Sequence, residues 1–394
     1  MRLSVDASCW ANERGYGRFT RSLLRAFLSR PRRHELVLFV DAATADSVSL
    51  PEGARVVVVS TREAPARAAS ASGSRSLPDL LVFSLAMSRA RADAFFFPSV
   101  YTFVPILSTR PVLVGIHDVI AEEYPDLVFP GVRGRALWTL KGVLARRQAD
   151  VVVTVSEYSR EGIQRLFGTP PDRIRVVDEA ADPAFRPLGP EERDGALLER
   201  LGLCGVARGV ACIGGTNPHK NLGSLVDAIA ELRTHPSLSS LRLVLVGDAD
   251  RDPFTPGLGA LRARIAARGL GDAVVFAGGL SDAGAAQVLN AAELLALPSF
   301  SEGFGLPAVE AAACGTPVVA TRNSPLPRLL EGGGFFIDPS RPRELVEALG
   351  RLLLDESLRL AMGARARERT RALSWERSAD QFEAILNEVE AGLP

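Results

Sequence analysis

Short runs of apolar residues recur along the chain, and segments with helical periodicity separate many of them. In the first half the runs that predict strands are 3–5, 36–40, 54–60, 94–97, 112–116 and 151–155. The second half repeats the pattern at 210–213, 241–247, 274–277, 294–297 and 317–321. Continuous apolar runs are typical of strands that are buried on both faces, so the alternation with helices predicts parallel α/β sheets.

Length and composition predict two domains. A chain of 394 residues with 47% hydrophobic residues can form two cores, since domains usually have about 100–200 residues. We assign residues 1–186 to a first Rossmann-like domain, 187–373 to a second, and 374–394 to a terminal helix; the polar stretch 187–194 is the predicted hinge. Lys plus Arg equals Asp plus Glu at 46 each, which gives no indication of a nucleic-acid partner.

The cysteines and the apolar segments predict a soluble cytoplasmic protein. The four cysteines contain no C-x-x-C pair and are expected to be free thiols in a reducing compartment. They are Cys9, Cys204, Cys212 and Cys314. No apolar stretch reaches the roughly 18 residues of a membrane span, and the first residues do not have the pattern of a signal peptide.

A turn and a helix are predicted after the apolar run 294–297. The stretch 299–317 has the sequence S-F-S-E-G-F-G-L-P-A-V-E-A-A-A-C-G-T-P. Pro307 suits the first turn of a helix, where its missing N–H costs nothing, and Gly315 suits the C-terminal cap. The helix is therefore expected to begin near Leu306.

The start of this helix is a candidate anion site, because free backbone N–H groups cluster there. The residues at this point are Gly303, Phe304, Gly305 and Leu306. Glu302 lies in the turn, and Glu310 lies about one turn into the helix. A phosphate ester of a polyol would fit, with its phosphates on the N–H groups and its hydroxyls on the carboxylates. The alternative is that the two glutamates only complement the helix dipole.

A second phosphate candidate follows the apolar run 210–213. The segment 214–222 has the sequence G-G-T-N-P-H-K-N-L, in which a glycine turn with Gly215 and Thr216 leads to Lys220 at a helix start. Backbone N–H groups and a lysine at a helix start suit a phosphate. The Walker A pattern is not met. The alternative for Lys220 is a solvated lysine.

Two candidates lie in the first half. Gly15-Tyr16-Gly17 follows the first strand in a predicted polar loop, and it is either a close approach to a ligand or a simple tight turn. The third glycine of a dinucleotide fingerprint is missing. His117 follows the run 112–116, at the edge where open α/β sheets bind ligands. There its imidazole could bond a substrate hydroxyl near neutral pH.

Two further segments leave alternatives open. Residues 133–148 have the sequence R-G-R-A-L-W-T-L-K-G-V-L-A-R-R-Q and predict a basic amphipathic helix. It could contact a membrane surface or a lipid diphosphate acceptor, although such a helix is more often packed with a solvated basic face. Asp248-Ala249-Asp250 after the strand 241–247 could hold Mn²⁺ or Mg²⁺ on a nucleotide diphosphate.

In their order along the chain, these motifs resemble the retaining GT-B glycosyltransferases of family 4. Glu302 and Glu310 match the E-x7-E signature, and the segment 214–222 resembles the family's lysine loop, with His219 where Arg is common. G-Y-G-R-F-T resembles its glycine loop. The sequence G-I-H-D-V-I-A-E-E-Y-P around His117 is similar to that of the bacterial mannosyltransferase-like members.

The resemblance implies an α/β protein of the GT-B fold, with two Rossmann-like domains that face a central cleft. The first domain would bind the acceptor, the second would bind the nucleoside diphosphate sugar, and residues 374–394 would cross back to the first. The implied reaction is retaining, metal-independent hexosyl transfer without a cofactor, with GDP-mannose as the first guess for the donor. The acceptor would be a saccharide, a lipid-linked molecule or a natural product, and the oligomeric state stays open.

The resemblance also implies a role for each candidate residue. Lys220 and the start of the second-half helix would pair with the donor diphosphate, with Gly215 and Thr216 beside them. Glu302 would orient hydroxyls of the donor sugar, Glu310 would accept from the ribose, and His117 would contact the transferred sugar. The segment Gly15-Tyr16-Gly17 would face the diphosphate and the acceptor. Alternatives are a GT-B sugar-nucleotide epimerase or phosphorylase, or a non-catalytic binder of sugar nucleotides.

Overall fold

The computed structural model describes residues 1–12, 15–31, 33–61, 76–129, 131–204, 208–247 and 257–392. The chain divides into two compact units, one formed by Met1–Glu179 with Ser374–Pro394 and the other by Ala180–Leu373. The first unit therefore ends before the predicted hinge at 187–194, and the last helix belongs to it.

The first unit contains a seven-stranded parallel sheet of order β3-β2-β1-β4-β5-β6-β7. Its strands are β1 (Arg2–Asp6), β2 (Glu35–Asp41), β3 (Arg55–Val59), β4 (Ala94–Phe97), β5 (Val112–Gly115), β6 (Val151–Thr154) and β7 (Ile174–Val176). The helices that follow them are α1 (Gly15–Leu28), α2 (Ala42–Ser47), α3 (Leu77–Ser88), α4 (Ile120–Glu123), α5 (Pro125–Val128), α6 (Val132–Gln148) and α7 (Glu157–Phe167).

The second unit contains a six-stranded parallel sheet of order β10-β9-β8-β11-β12-β13. Its strands are β8 (Gly209–Ile213), β9 (Arg242–Val246), β10 (Val274–Gly278), β11 (Leu294–Leu297), β12 (Val318–Thr321) and β13 (Gly334–Ile337). Its helices are α8 (Gly195–Arg200), α9 (Leu222–Leu232), α10 (Leu258–Ala267), α11 (Asp282–Ala291), α12 (Leu306–Cys314), α13 (Leu326–Leu329), α14 (Pro342–Leu354) and α15 (Glu356–Thr370).

The predicted strands are confirmed, and the α/β fold class with them. Most of their apolar residues are buried, although Val56 and Val58 of the edge strand β3 are 36% and 52% exposed. All residues of β4, β5, β6, β11 and β12 are buried. Burial of a Val, Leu or Phe side chain stabilises the fold by about 1.5–3 kcal/mol. The sequence analysis missed β7, which has three residues, and β13, which begins at the last of three consecutive glycines that indicate a loop.

The last helix, α16 (Trp375–Glu390), completes the first unit by packing against α1. The Phe382 ring lies 5.8 Å from that of Phe27 and 4.9 Å from that of Phe96. Ser378 Oγ also donates a hydrogen bond to the carbonyl of Asp178. Among the described residues, no helix is both long and apolar enough to cross a membrane.

The segment Gly15-Tyr16-Gly17 corrects the sequence interpretation, because it forms the first turn of α1 and not a loop. A Cβ atom on Gly17 would lie 2.0 Å from the carbonyl oxygen of Asn12 and 2.9 Å from that of Cys9. A Cβ atom on Gly15 would meet nothing within 4 Å. Gly17 is therefore required by the close approach of α1 to the preceding turn, whereas Gly15 is not.

This difference predicts opposite results for two alanine substitutions. Gly17→Ala should lower the free energy of unfolding by about 1–3 kcal/mol, the usual cost of overpacking. Gly15→Ala, the matched control, should change it by less than about 0.5 kcal/mol. Urea denaturation followed by circular dichroism measures both values. Equal stability of the two variants would contradict the packing argument.

Candidate active site

The second unit brings most of the candidate residues to one edge of its sheet. The lysine loop (214–221) follows β8, and the glutamate loop (298–305) follows β11. These two parallel strands are neighbours, so their carboxyl ends lie side by side. Lys220 and Glu302, 82 positions apart in the sequence, meet there.

Three hydrogen bonds connect the lysine loop to the glutamate loop. Lys220 Nζ donates to Glu302 Oε1 at 2.7 Å, in an ion pair whose side chains are 20% and 9% exposed. The backbone N–H of Phe300 donates to the carbonyl of His219 at 2.8 Å. Asn221 Nδ2 donates to the carbonyl of Pro298 at 3.2 Å. The position of the lysine charge is therefore set by backbone and side-chain contacts together.

Glu302 is held as a buried carboxylate. Its Oε1 also accepts a hydrogen bond from Ser299 Oγ at 2.5 Å. Burial opposes ionisation, but the charge of Lys220 and the hydrogen bonds from Lys220 and Ser299 hold the pKa of Glu302 below its ordinary value. Both of these bonds go to Oε1, so Oε2 is available to accept a hydrogen bond from a ligand.

Asn221 fixes the end of the lysine loop. It has φ 55° and ψ 34°, and it is the one non-glycine residue with positive φ in the described part of the chain. Its side chain bonds the carbonyls of Pro298 and Pro339 and accepts from Ser224 Oγ. Asn tolerates this conformation better than most residues. Asn221 thereby ends the 3₁₀ turn (Pro218–Lys220) that carries Lys220, just before α9.

The start of α12 has the predicted geometry. The helix begins at Leu306 after Gly305 in the left-handed conformation (φ 85°), Pro307 lies in its first turn, and Gly315 (φ 83°) caps its end. No side chain caps the N-terminus of α12. The helix start is therefore suited to an anion, although Gly303, Phe304 and Gly305 are all buried.

Glu310 lies on α12 and is fully buried. Burial and the nearby charge of Glu310 raise the pKa of the Cys314 thiol to about 12. The Glu310 side chain is thus buried inside the unit, on the helix that begins at the candidate anion site. This position is one turn into the helix, as the sequence predicted.

Gly215 and Thr216 lie at the start of the lysine loop. Gly215 is exposed, whereas Thr216 is buried, and its Oγ1 has no hydrogen-bond partner among the described residues. The loop is closely packed beneath them, because a Cβ atom on Gly247 would lie 2.2 Å from the carbonyl oxygen of Gly214. At the carboxyl ends of β8 and β9, therefore, the backbones of Gly214 and Gly247 pack directly against each other, beside the buried Thr216 hydroxyl.

His117 follows β5 in the first unit, as predicted, and its imidazole is held in one tautomer. Its Nε2 lies 2.8 Å from the carbonyl oxygen of Pro98, which can only accept, so Nε2 carries the proton. Burial lowers the pKa of His117 to about 4, against the opposing effect of the Pro98 bond. Nδ1 is therefore an acceptor at neutral pH.

The glycine segment of the first unit lies close to His117 in the fold. Phe19, in the same helix as Gly15 and Gly17, packs edge-on against the His117 ring with ring centroids 4.7 Å apart. The Tyr16 ring is buried and stacks on that of Tyr101 at 5.0 Å. Of the three predicted residues only Gly15 is exposed.

Several positioning residues were not identified from the sequence. Ser299 and Asn323 hold Glu302, Asn323 through its carbonyl oxygen at 3.0 Å from the Glu302 N–H. Pro98 fixes the tautomer of His117. Asn323 and Pro98 act from positions about 20 residues away in the sequence, on neighbouring strands or loops, so no local pattern marks them. Ser299 lies only three residues before Glu302, but its hydroxyl carries no sequence signal of that contact. The described residues contain no cluster of His, Cys, Asp or Glu that could hold a metal, and Asp248-Ala249-Asp250 lies outside them.

Two family models match most of the chain. The family described as Glycosyl transferases group 1 matches residues 208–369, and Glycosyltransferase Family 4 matches residues 14–185. The first match contains the lysine and glutamate loops, and the second contains the glycine segment and His117.

The curated relatives are also named as glycosyltransferases. The chain is 37% identical over 295 residues to a D-inositol 3-phosphate glycosyltransferase of Acidothermus cellulolyticus. The matched region covers 73% of this chain and 63% of the relative. It is 32% identical over 250 residues to an MMP alpha-(1->4)-mannosyltransferase of Mycolicibacterium hassiacum, with 62% and 56% covered. Both matches span less than two thirds of the relative's own length.

Solved structures share the fold. A sucrose-phosphate synthase from Thermosynechococcus elongatus superimposes with a TM-score of 0.78 at 19% identity, covering 100% of both chains. Anabaena HepE in complex with UDP-glucose superimposes with a TM-score of 0.75 at 20% identity, covering 98% of this chain and 99% of the other. From the family matches and the shared fold, the chain belongs to the GT-B glycosyltransferases of the family 4 type.

Proposed function

We propose that this chain transfers a hexosyl group from a nucleoside diphosphate sugar to an acceptor hydroxyl with retention of the anomeric configuration. The observation that carries the proposal is the ion pair of Lys220 and Glu302, which joins the two loops at the edge of the second sheet. A fixed cation, an uncapped helix start and a buried carboxylate together suit a ligand with both a phosphate and hydroxyl groups.

The diphosphate is proposed to bind Lys220 and the backbone N–H groups at the start of α12. These donors are in place before the reaction, so they stabilise the leaving diphosphate as its charge develops without reorganisation. Glu310, one turn into α12, is assigned to the ribose hydroxyls. Gly215 and Thr216 lie at the start of the lysine loop and are assigned to the phosphates; the buried Thr216 hydroxyl has no hydrogen-bond partner among the described residues.

Glu302 is proposed to orient hydroxyls of the donor sugar through Oε2. Its lowered pKa leaves it without a proton to donate, so it is unsuited to act as the general acid of a glycosidase-type pair. Acid–base catalysis is instead assigned to the substrate: the leaving phosphate oxygen takes the proton of the acceptor hydroxyl on the same face. Retention follows from this geometry without a metal ion or cofactor.

His117 is proposed to accept a hydrogen bond from a hydroxyl of the transferred sugar through Nδ1. The bond from Nε2 to Pro98 fixes this acceptor, and the lowered pKa keeps the ring neutral over the physiological range. A protonated imidazole could not accept such a bond, so neutrality is part of the proposed role.

The names of the relatives guide the choice of substrates. A D-inositol 3-phosphate glycosyltransferase and a mannosyltransferase are among them, and one structural neighbour holds UDP-glucose. GDP-mannose remains the first donor to test, followed by UDP sugars. Saccharides, lipid-linked molecules and natural products remain the acceptor classes, and inositol phosphate is a convenient first probe.

A screen of nucleotide sugars tests the function directly. A true donor should raise the melting temperature of the chain, because a ligand that binds only the folded state stabilises it. With an acceptor present, the same donor should yield a glycoside and free nucleoside diphosphate. Three results would contradict glycosyl transfer. Release of nucleoside diphosphate with an epimerised free sugar would indicate an epimerase, and a dependence on inorganic phosphate would indicate a phosphorylase. Binding without turnover would indicate a non-catalytic binder of sugar nucleotides.

Substitutions at the ion pair separate ligand binding from stability. Lys220→Met should abolish stabilisation by the donor and also lower the free energy of unfolding by about 1–3 kcal/mol, because it leaves the Glu302 carboxylate buried without its cation. The double variant Lys220→Met/Glu302→Gln should recover most of the stability, since no buried charge remains, but it should not recover donor binding. Urea denaturation and thermal shift with the donor measure the two effects.

The matched control is Arg343→Met, which breaks an exposed ion pair with Glu231. It should leave donor binding unchanged and alter stability by less than about 0.5 kcal/mol. Normal turnover in the double variant would refute the role of the pair in donor binding.

The tautomer and charge of His117 predict a pH effect on stability. Between its ordinary pKa of 6.5 and its folded value of about 4, the unfolded chain binds a proton that the folded chain does not. Stability should therefore fall as the pH is lowered through this window, by at most about 1.4 kcal/mol per pH unit from this residue. His117→Gln can still donate to Pro98 but cannot titrate, so its stability should depend less on pH. Parallel curves for the two proteins between pH 7 and pH 4.5 would contradict the assignment.

A further inference from the structure

Helix α6 is apolar on its outer side as well as on its inner side. Trp138 and Ala145 pack into the core of the first unit. On the opposite side Leu137 is 60% exposed, Leu140 is 57% exposed and Leu144 is 38% exposed. This arrangement differs from the solvated basic face expected of a packed helix, because three leucines face outward.

The outer leucines form one stripe that ends in arginines. Positions 133, 137, 140, 144 and 147 follow each other at spacings of four and three residues, which places them on one face of a helix. The residues are Arg133, Leu137, Leu140, Leu144 and Arg147. The stripe is thus an apolar surface with a cation at each end.

The exposed arginines of α6 form no ion pair within the part of the chain that the structure describes. Helix α6 carries five basic residues and no acidic residue. Arg133, Arg135 and Arg147 are exposed, and none of them forms an ion pair with another described residue. On helices α14 and α15, by contrast, exposed arginines form ion pairs, as in Arg343–Glu231 and Arg365–Glu368.

The apolar surface continues from α6 to α3. Gln148 at the end of α6 exchanges hydrogen bonds with the backbone of Ile106. The neighbouring residue Leu107 is 82% exposed, and its N–H donates to Ser88 Oγ at the end of α3 at 2.9 Å. Loop 105–107 therefore joins the outer sides of the two helices.

Helix α3 also exposes leucines on its outer side, although it carries no basic residue. Phe83 and Met87 pack into the core that also contains Trp138 and Ala145, so α3 and α6 turn their outer sides away from one core. Leu81 is 63% exposed and Leu85 is 43% exposed. The single acidic residue of α3 is Asp79, which is buried. We define the outer face as the exposed leucines of α3, loop 105–107 and α6, together with the exposed arginines of α6.

We propose that the outer face lies on the surface of an anionic phospholipid bilayer. Exposed leucines can enter the boundary between headgroups and acyl chains while the arginines bind lipid phosphates, as in helices that lie in the plane of a membrane. Charge decides between the possible partners. The face offers unpaired cations and almost no carboxylates, so it is complementary to a surface that is negative outside and apolar inside.

Vesicle binding by the intact chain tests this proposal. The chain should sediment with vesicles of phosphatidylcholine and phosphatidylglycerol in equal amounts, and much less with vesicles of phosphatidylcholine alone. Raising the salt concentration from about 0.1 M to about 1 M should weaken binding, because the Debye length falls from ~10 Å to ~3 Å.

Two triple variants separate the apolar and the charged contributions. Leu137→Gln/Leu140→Gln/Leu144→Gln should reduce the affinity for the mixed vesicles at least about tenfold, since it removes the apolar contacts. Arg133→Gln/Arg135→Gln/Arg147→Gln should reduce it by at least a similar factor of about ten and remove most of the salt dependence. Circular dichroism and the melting temperature establish that both variants are folded.

The matched control is Leu354→Gln/Leu360→Gln, which changes two leucines of the second unit that are 51% and 64% exposed. It should bind vesicles like the unaltered chain. Equal binding by the control and the leucine variant would overturn the proposal, as would equal binding to both kinds of vesicle. A dimer of the unaltered chain that the leucine variant converts to a monomer would also overturn it, in favour of contact with a second copy.

Discussion

The ion pair between Lys220 and Glu302 is the interaction on which the candidate site depends. Removing two charged groups from water costs free energy. Here Glu302 Oε1 accepts hydrogen bonds from both Lys220 and Ser299, and a backbone hydrogen bond also joins the two loops. The pair therefore fixes one positive and one negative group at the edge of the sheet. In the proposed function, a ligand with phosphate and hydroxyl groups would meet donors and acceptors that are already in position.

The two units fix the protonation state of their candidate site residues by different interactions. In the second unit, opposite charges stabilise each other. In the first unit, burial keeps His117 neutral and a backbone carbonyl fixes its tautomer. Both devices favour one protonation state of a side chain, which sets the hydrogen bonds that it offers to a ligand.

The outer face of α3 and α6 belongs to the same unit as His117, but it serves a separate purpose in our interpretation. The inner sides of both helices close one core, while their outer sides expose leucines. On α6 these leucines lie beside exposed arginines that form no ion pair with another described residue. Core packing explains the inner residues and leaves the outer ones without a structural role. A bilayer surface would bring an acceptor with a lipid anchor close to the unit that the family resemblance assigns to acceptors.

The sequence by itself determined the α/β class, all strands except β7 and β13, and the start of α12 at Leu306, because apolar runs, glycine and proline act through local geometry. It also indicated the candidates Lys220, Glu302 and His117. It misplaced the segment Gly15-Tyr16-Gly17 as a loop, since the contact between Gly17 and Asn12 that makes the glycine necessary is a matter of packing. Only the tertiary structure decided that Lys220 pairs with Glu302 and that Pro98 sets the tautomer of His117. Such contacts depend on which strands are neighbours in a sheet, and strand order is set by the packing of the whole unit.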